Sequence, residues 1–412
     1  MSKIKDFYFF LVVLYSGMAL AFFRSHEVLI ALWALGLLIF GRETLYPNKK
    51  LFIALGVWMG YFAINTLIIR SFHPMFMGIY IAKIMIAYWL LTHYREQIFE
   101  RYENIIYKLT LVALFFYALQ LIVPDSIMWN VFKSIDLSEN LFPQKFYASI
   151  GFYTFHQREL SELFPRNAGF CWEPGPFSSY VILALFINLA RNGVKLKDKN
   201  RLLIFLLAIV TAQSTTSFVV LLAIIVWYAW SRVKNKAFRI ISVPIALALV
   251  IYLFTSVPWM QEKIISESEQ DVDYYLHLAE SYGSSHTPGR FASLTLGWRD
   301  FLKYPVTGYG GNISLRTGYI DETTSVATIS GIGTIVSRYG SIGTLLFLFL
   351  IFYTGKWLSR FYQYSAHIIF PVTVLMIGFG FAIIESPIFV TLWMVPVFLS
   401  QQKIKILHET SI

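Results

Sequence analysis

Residues 202–231 read LLIFLLAIVTAQSTTSFVVLLAIIVWYAWS, without one Asp, Glu, Lys or Arg. A bilayer core about 30 Å thick takes roughly 20 apolar residues as a helix. Arg191, Lys195, Lys197, Lys199 and Arg201 precede the run, and Arg232, Lys234, Lys236 and Arg239 follow it. Basic loops stay in the cytoplasm, so both flanks belong inside. The chain must then go out and return within the run. Gln213-Ser214-Thr215-Thr216-Ser217 at its middle is the natural turn. Two short helices with a polar tip commonly line a cavity. The plainer alternative is one long tilted helix that breaks the charge rule.

The pattern repeats along the chain. Residues 51–69, 240–261 and 361–384 are also free of Asp, Glu, Lys and Arg. These runs are continuously apolar rather than alternating, which excludes β-barrel strands. The composition agrees: 57% hydrophobic and 14% charged, against about 25% charged in soluble chains. The expected fold class is all-α, a polytopic membrane protein whose residues 1–412 form a single integral membrane domain. About twelve transmembrane helices are expected, near 7–23, 28–41, 51–69, 75–92, 105–123, 174–190, 202–213, 215–231, 240–258, 340–356, 364–382 and 387–401. No small-residue cleavage site follows the first apolar run, so that run is read as a span. The distribution of Lys and Arg then places both termini in the cytoplasm. The net charge of +10 is topological on this reading, and no nucleic-acid partner is expected. A single cysteine, Cys171, rules out an internal disulfide.

Two polar segments, 124–173 and 259–339, are too long for turns and fall outside. In the second, Thr287-Pro288 reads as N-cap and first position of a helix. Phe291, Leu294, Trp298 and Phe301 form one apolar stripe, and the helix should stop before Pro305. An amphipathic helix near 288–303 is therefore expected on the membrane face, followed by a turn at Gly308-Tyr309-Gly310-Gly311. The stretch 259–287, with six acidic residues and one Lys, reads as a solvated lobe without chemistry.

Two constellations could carry chemistry. In the first, Arg166 lies seven residues before Glu173, which is followed by Pro174 and Gly175. Pro174 favours a helix start, so the Glu173 carboxylate sits at a positive helix end. A carboxylate can accept a proton from a sugar hydroxyl, and a guanidinium can hold a phosphate. The alternative is a plain capping residue and an interfacial anchor. The second constellation is Arg290, Arg299, Lys303 and Arg316 around Gly308, Gly310 and Gly311. Such a basic cluster outside runs against the usual loop bias and suits an anionic group such as a pyrophosphate. Arg290 falls in the first helical turn, where a cation opposes the dipole. The alternative is a band of headgroup-contacting arginines. Trp298 fits an interfacial belt as well as sugar stacking. Lys83 within a span, Arg338 and Glu385 are candidates for pairing or for lining a cavity, although an exposed turn is the plainer reading of Glu385-Ser386-Pro387. The histidines show no metal-ligand spacing, so no metal and no cofactor is expected.

With these residues in view, the chain resembles the O-antigen polymerase (Wzy) and O-antigen ligase family. Arg166, Phe170, Glu173, Pro174 and Gly175 look like the family's "R…G.F.EP" stretch before a span. Gly289-Arg290, Trp298, Pro305 and Gly308-Tyr309-Gly310 look like its "GR…W…P..G.G" stretch, and Tyr339-Gly340-Ser341-Ile342-Gly343 like its "YG..G" turn. Ligases of the family usually carry a His-Asn pair shortly before that turn. Here Thr323-Thr324-Ser325-Val326-Ala327 has no histidine. Ligases also tend to have Ser-Arg in the short hairpin, where this chain has Ser214-Thr215-Thr216. Both departures favour a polymerase. The resemblance implies a metal-independent glycosyltransferase of GT-C type in the bacterial inner membrane. It would move a growing glycan from undecaprenyl pyrophosphate onto a lipid-linked repeat unit of an O-antigen lipopolysaccharide, capsule or exopolysaccharide. Membrane lipid, a chain-length regulator and a flippase are the implied partners. On this reading Glu173 and Arg290 are catalytic, and Arg166, Arg299, Lys303, Arg316 and Trp298 bind substrate. The rivals are a ligase with another acceptor and a non-enzymatic flippase, which would show charged residues deep in several spans and two similar halves.

Overall fold

The computed structural model describes residues 2–138, 147–158, 164–193, 199–232, 265–363 and 365–399, with isolated positions between 237 and 261. The elements before the polar 124–173 stretch are α1 (Ser2–Gly17), α2 (His26–Ile39), the short α3 (Gly41–Leu45), α4 (Lys49–Ile69), α5 (Pro74–Tyr94) and α6 (Ile98–Ile122). After α7 (Asp125–Ser134) come the strands β1 (Tyr147–Ser149) and β2 (Thr154–His156), then α8 (Pro174–Asn192), α9 (Lys199–Ala212) and α10 (Thr215–Arg232). The polar 259–339 stretch holds α11 (Val272–Tyr282) and α12 (Arg290–Lys303). The chain continues through α13 (Gly331–Phe361), α14 (Ile369–Gly380), α15 (Pro387–Trp393) and α16 (Val395–Phe398). Among the described residues three helical stretches are long and apolar enough to cross a membrane: Lys49–Ile69, Pro74–Ile122 and Gly331–Phe361. His26–Ile39, Thr215–Ser231 and Ile369–Gly380 are shorter apolar helices. The span expected over 240–258 lies largely outside the described residues, as do Lys195, Lys197, Lys234, Lys236 and Arg239.

The core centres on α8, which is buried on every side from Pro174 to Ala190. An all-round apolar helix belongs inside a bundle, and α6, α9, α10 and α14 surround it. At its far end Glu103 of α6 is fully buried. Asn188 donates to it at 2.8 Å, Arg191 at 2.6 Å and Arg201 at 2.8 Å. A buried carboxylate needs such partners, and the knot fixes α6, α8 and α9 at one end. The 202–231 run forms the expected pair of short helices, turning at Gln213 and Ser214.

The description all-α holds apart from the β1–β2 hairpin, paired antiparallel with Ala148 opposite Phe155. Asp136 accepts from the Ser138 and Ser149 amides at 2.9 and 2.8 Å. Gln120 at the end of α6 donates to the His156 carbonyl at 2.7 Å. The hairpin is thus tied both to its own segment and to the bundle.

Three readings of the sequence need correction. The amphipathic helix α12 starts at Arg290 with Gly289 as N-cap, not at Pro288. His286 pairs in extended form with the 325–327 stretch, donating to Ser325 at 3.0 Å and accepting from Ala327 at 2.9 Å. That pairing holds the residues before Gly289 out of the helix. The span expected to open at 340 belongs to a helix that begins at Gly331 and is broken at Gly340, with φ 58° and ψ −159°. The turn Glu385-Ser386-Pro387 is not exposed: Ser386 is buried and Glu385 pairs with Arg338 at 2.6 Å.

The break at Gly340 is filled by another part of the chain. Ser341 donates to the Pro305 carbonyl at 2.8 Å and Ile342 to that of Val306 at 3.1 Å. Tyr309 and Gly310 in turn donate to Ser337 and Arg338 at 3.0 and 2.9 Å. A Cβ on Gly340 would strike the Gly308 and Thr307 amides, and one on Gly308 the Arg338 carbonyl. Both glycines have positive φ, open to residues without a Cβ. From α4, Tyr61 donates to the Thr307 carbonyl at 2.7 Å and Asn65 to that of Gly308 at 3.2 Å. The "P..G.G" and "YG..G" stretches are therefore one interlocked structure.

Candidate functional site

Glu173 is the N-cap of α8, with Pro174 at the first position. Its side chain makes no cap hydrogen bond, so any stabilisation of the helix end comes from its charge at the positive dipole end. Arg166 lies on a strap, 164–170, laid across the tip of the α9–α10 hairpin. It donates to the Gln213 carbonyl at 3.4 Å. Asn167 pins the strap through its amide and side chain, at 3.0 Å to the Thr211 carbonyl and 3.2 Å to its hydroxyl. Gln213 returns a bond to the Pro165 carbonyl at 3.1 Å.

Arg290 opens α12 in the 259–339 stretch. Its guanidinium lies 5.2 Å from the centre of the Phe381 ring and pairs with Glu267. The same Phe381 ring fills the space beside Gly175, two residues after Glu173. Gly380, its neighbour, sits against Thr216 at the hairpin tip. Phe381 is the first residue past the end of α14. Arg166 thus lies on the hairpin tip, Arg290 on the Phe381 ring, and Glu173 two residues before the glycine that this ring packs against. A carboxylate and two guanidiniums so placed can accept a hydroxyl proton and hold a phosphate.

The remaining sequence candidates stand elsewhere. Arg299 forms a bidentate pair with Asp273 of α11, at 2.5 and 3.0 Å. The hydrogen bond to Arg299 holds the Asp273 carboxyl below its usual range, and the same bond pushes the Arg299 guanidinium up. Arg316 donates to the Val326 carbonyl at 3.3 Å and lies 3.9 Å from Asp300. Lys303 is exposed. Trp298 is 52% exposed and Phe291 47%, while Ala292, Ser293, Leu296, Gly297 and Asp300 face inward. The bulky stripe of α12 therefore points out and its small residues face the start of α13, where Gly297 meets Gly333. Phe381 and Glu267 escaped the sequence reading. Glu267 sits in the acidic stretch taken for a solvated lobe.

A second charged cluster begins four residues beyond Phe381. Glu385 pairs with Arg338, and Arg338 Nε donates to the Tyr309 hydroxyl at 3.4 Å. Lys83 of α5 lies 4.6 Å from the centre of the Tyr80 ring, and Tyr80 is hydrogen-bonded to Tyr339. Among the described residues no carboxylate lies within ion-pair distance of Lys83.

No curated protein matches the chain. Its segment 202–332 matches the family model described as O-antigen ligase. That segment runs from the α9–α10 hairpin through Arg290 and α12 to the start of α13. It covers about a third of the sequence and leaves Arg166, Glu173 and Arg338 outside. The match falls on the α9–α10 hairpin and α12, two of the stretches that carry the resemblance, and over 202–332 the chain is similar to the O-antigen ligase family.

Proposed function

We propose that the protein is a polysaccharide polymerase of the bacterial inner membrane, a multi-pass, metal-independent glycosyltransferase with both termini in the cytoplasm. The growing glycan sits on undecaprenyl pyrophosphate, and the acceptor is a repeat unit on the same lipid. The acceptor oxygen attacks the anomeric carbon and forms the new C–O bond. The bond from that carbon to the pyrophosphate breaks, and the pyrophosphate keeps the electron pair. The hydroxyl proton passes to Glu173. Arg290, with Arg166, neutralises the charge that develops on the leaving group, and the gathered segments hold the two chains in line. Arg299, Lys303, Arg316 and Trp298 contact the glycan or headgroup from the external lobe. A chain-length regulator and a flippase work beside it.

The observation that supports this reading is Arg290 on the Phe381 ring, which itself packs beside Gly175, two residues after Glu173. The family description favours the second reading, a ligase that passes the finished glycan to another acceptor. Surface glycan from cells lacking the gene separates them. Loss of the ladder with single units still on their anchor means polymerase. Long glycan left on undecaprenyl pyrophosphate means ligase. No repeat units at the outer face means a flippase, and the catalytic assignments fall with it. Arg290→Ala should abolish polymer while leaving protein level and single-unit coupling intact; normal chain length in that variant removes Arg290 from the site.

A further inference from the structure

We propose that Lys83, Arg338 and Glu385 form a second anion site, which takes the pyrophosphate headgroup of the second lipid-linked substrate. The proposal rests on the polymerase reading. A polymerase handles two pyrophosphate-bearing lipids at once, and the Arg290 centre serves one.

Three interruptions of regular structure meet here. The 304–311 loop enters the break at Gly340, and the unwound 381–386 segment brings Glu385 to Arg338. The loop is held by Tyr61 and Asn65, eight and four residues from the end of α4 at Ile69. At 1.5 Å per residue it lies roughly 6 to 12 Å below that end. Non-helical backbone at membrane depth persists only where it is buried in protein or lines a cavity, and broken helices at depth mark binding sites.

Charge supplies the second argument. Arg338 and Glu385 neutralise one another, which leaves Lys83 as a surplus cation. It lies over the Tyr80 ring and within the field of the Glu385 carboxylate that Arg338 already holds, so two cations face one carboxylate and the cluster keeps a net positive charge. Ionisable groups within spans pair or serve a ligand, and here an anionic ligand completes the balance. Tyr309, Tyr80 and Tyr339 add hydroxyls around the same point. The 381–386 segment links the two centres, with Phe381 under Arg290 and Glu385 on Arg338. Two headgroups on either side of one short segment would present donor and acceptor to each other.

The test is binding of undecaprenyl pyrophosphate to the purified full-length protein in lipid nanodiscs, counted as equivalents per chain by native mass spectrometry. The wild type is expected to bind two. Lys83→Met should bind one, the lost equivalent being weakened by at least about ten-fold, and should melt no lower than wild type, because it removes an uncompensated cation. Lys83→Arg should keep both. Arg290→Ala should also bind one, and the double variant none. One equivalent in the wild type, two in Lys83→Met, or displacement by phosphatidylglycerol overturns the second site. So does a lower melting temperature for Lys83→Met, which would make Lys83 structural. Loss of one equivalent in Lys83→Met but none in Arg290→Ala upholds this site while removing the assignment of Arg290 to the other headgroup.

Discussion

At Arg338 and Glu385 a single side chain decides whether a charge inside the bundle is matched. Replacing Arg338 by Leu leaves the Glu385 carboxylate without its guanidinium, which costs about 3–5 kcal/mol for a buried pair. Replacing both by Leu is expected to recover most of that loss. The check is a double-mutant cycle on thermal unfolding, and additive single losses would show that the two side chains do not act as a pair. Gly340→Ala puts a Cβ against the Gly308 amide at a positive φ. A stability loss of about 1–3 kcal/mol is expected, with Gly56→Ala as the comparison, since a Cβ at Gly56 meets nothing within 4 Å and its φ is not positive. The sequence made Glu173 and Arg166 legible because Pro174 marks a helix start and a cation before it is unusual. Arg290 was legible because it opposes a helix dipole. Phe381 was not, since an aromatic in an apolar run carries no mark of what lies across from it. Glu267 was hidden among other acidic residues, and only the fold shows which of them meets Arg290.

Among the elements, the β1–β2 hairpin depends on one carboxylate. Burial by itself would raise the Asp136 carboxyl, but bonds from Ser138 and Ser149 and the charge of Lys133 outweigh it and hold it below the usual range. A depressed carboxyl stabilises the fold above its unfolded value and loses that contribution as pH falls through the folded value. The hairpin should therefore loosen below roughly pH 4. Hydrogen exchange at the Ser138 and Ser149 amides, corrected for intrinsic rate, should rise over that range in the wild type. Asp136→Asn should flatten the dependence, and an unchanged profile would remove Asp136 as the anchor. The hairpin itself was not foreseen, because a pair of three-residue strands leaves no alternation long enough to read. α12 was foreseen from its stripe, but its start was misplaced because the extended pairing of His286 is a long-range contact. A nitroxide at position 298 should meet oxygen more readily than a water-soluble nickel chelate, and one at 303 the reverse. Equal exposure at both would place the outward stripe in water rather than lipid.

Over the whole molecule, the continuous apolar runs made helices legible nearly everywhere, since length and lack of charge are local properties. Which helix is central was not legible: α8 is no more apolar than its neighbours, and its place follows from packing. Cys171 lies at the foot of that helix, fully buried, and burial pushes its thiol well above the usual range. The folded protein is expected to resist maleimide and to react fully once unfolded, so thiol labelling should track the melting curve. Rapid labelling of the native protein would contradict the buried placement. The loop locked into the broken helix also bears on how the chain is made. Pro305 and Val306 leave the ribosome before Ser341 and Ile342, and Tyr61 and Asn65 before either. The carbonyls that receive the broken helix's amides are synthesised ahead of the helix that needs them. The last long span can enter the bilayer with its acceptors already waiting, whereas a chain circularly permuted to begin between 312 and 330 would have to insert that helix with its broken turn still unmet.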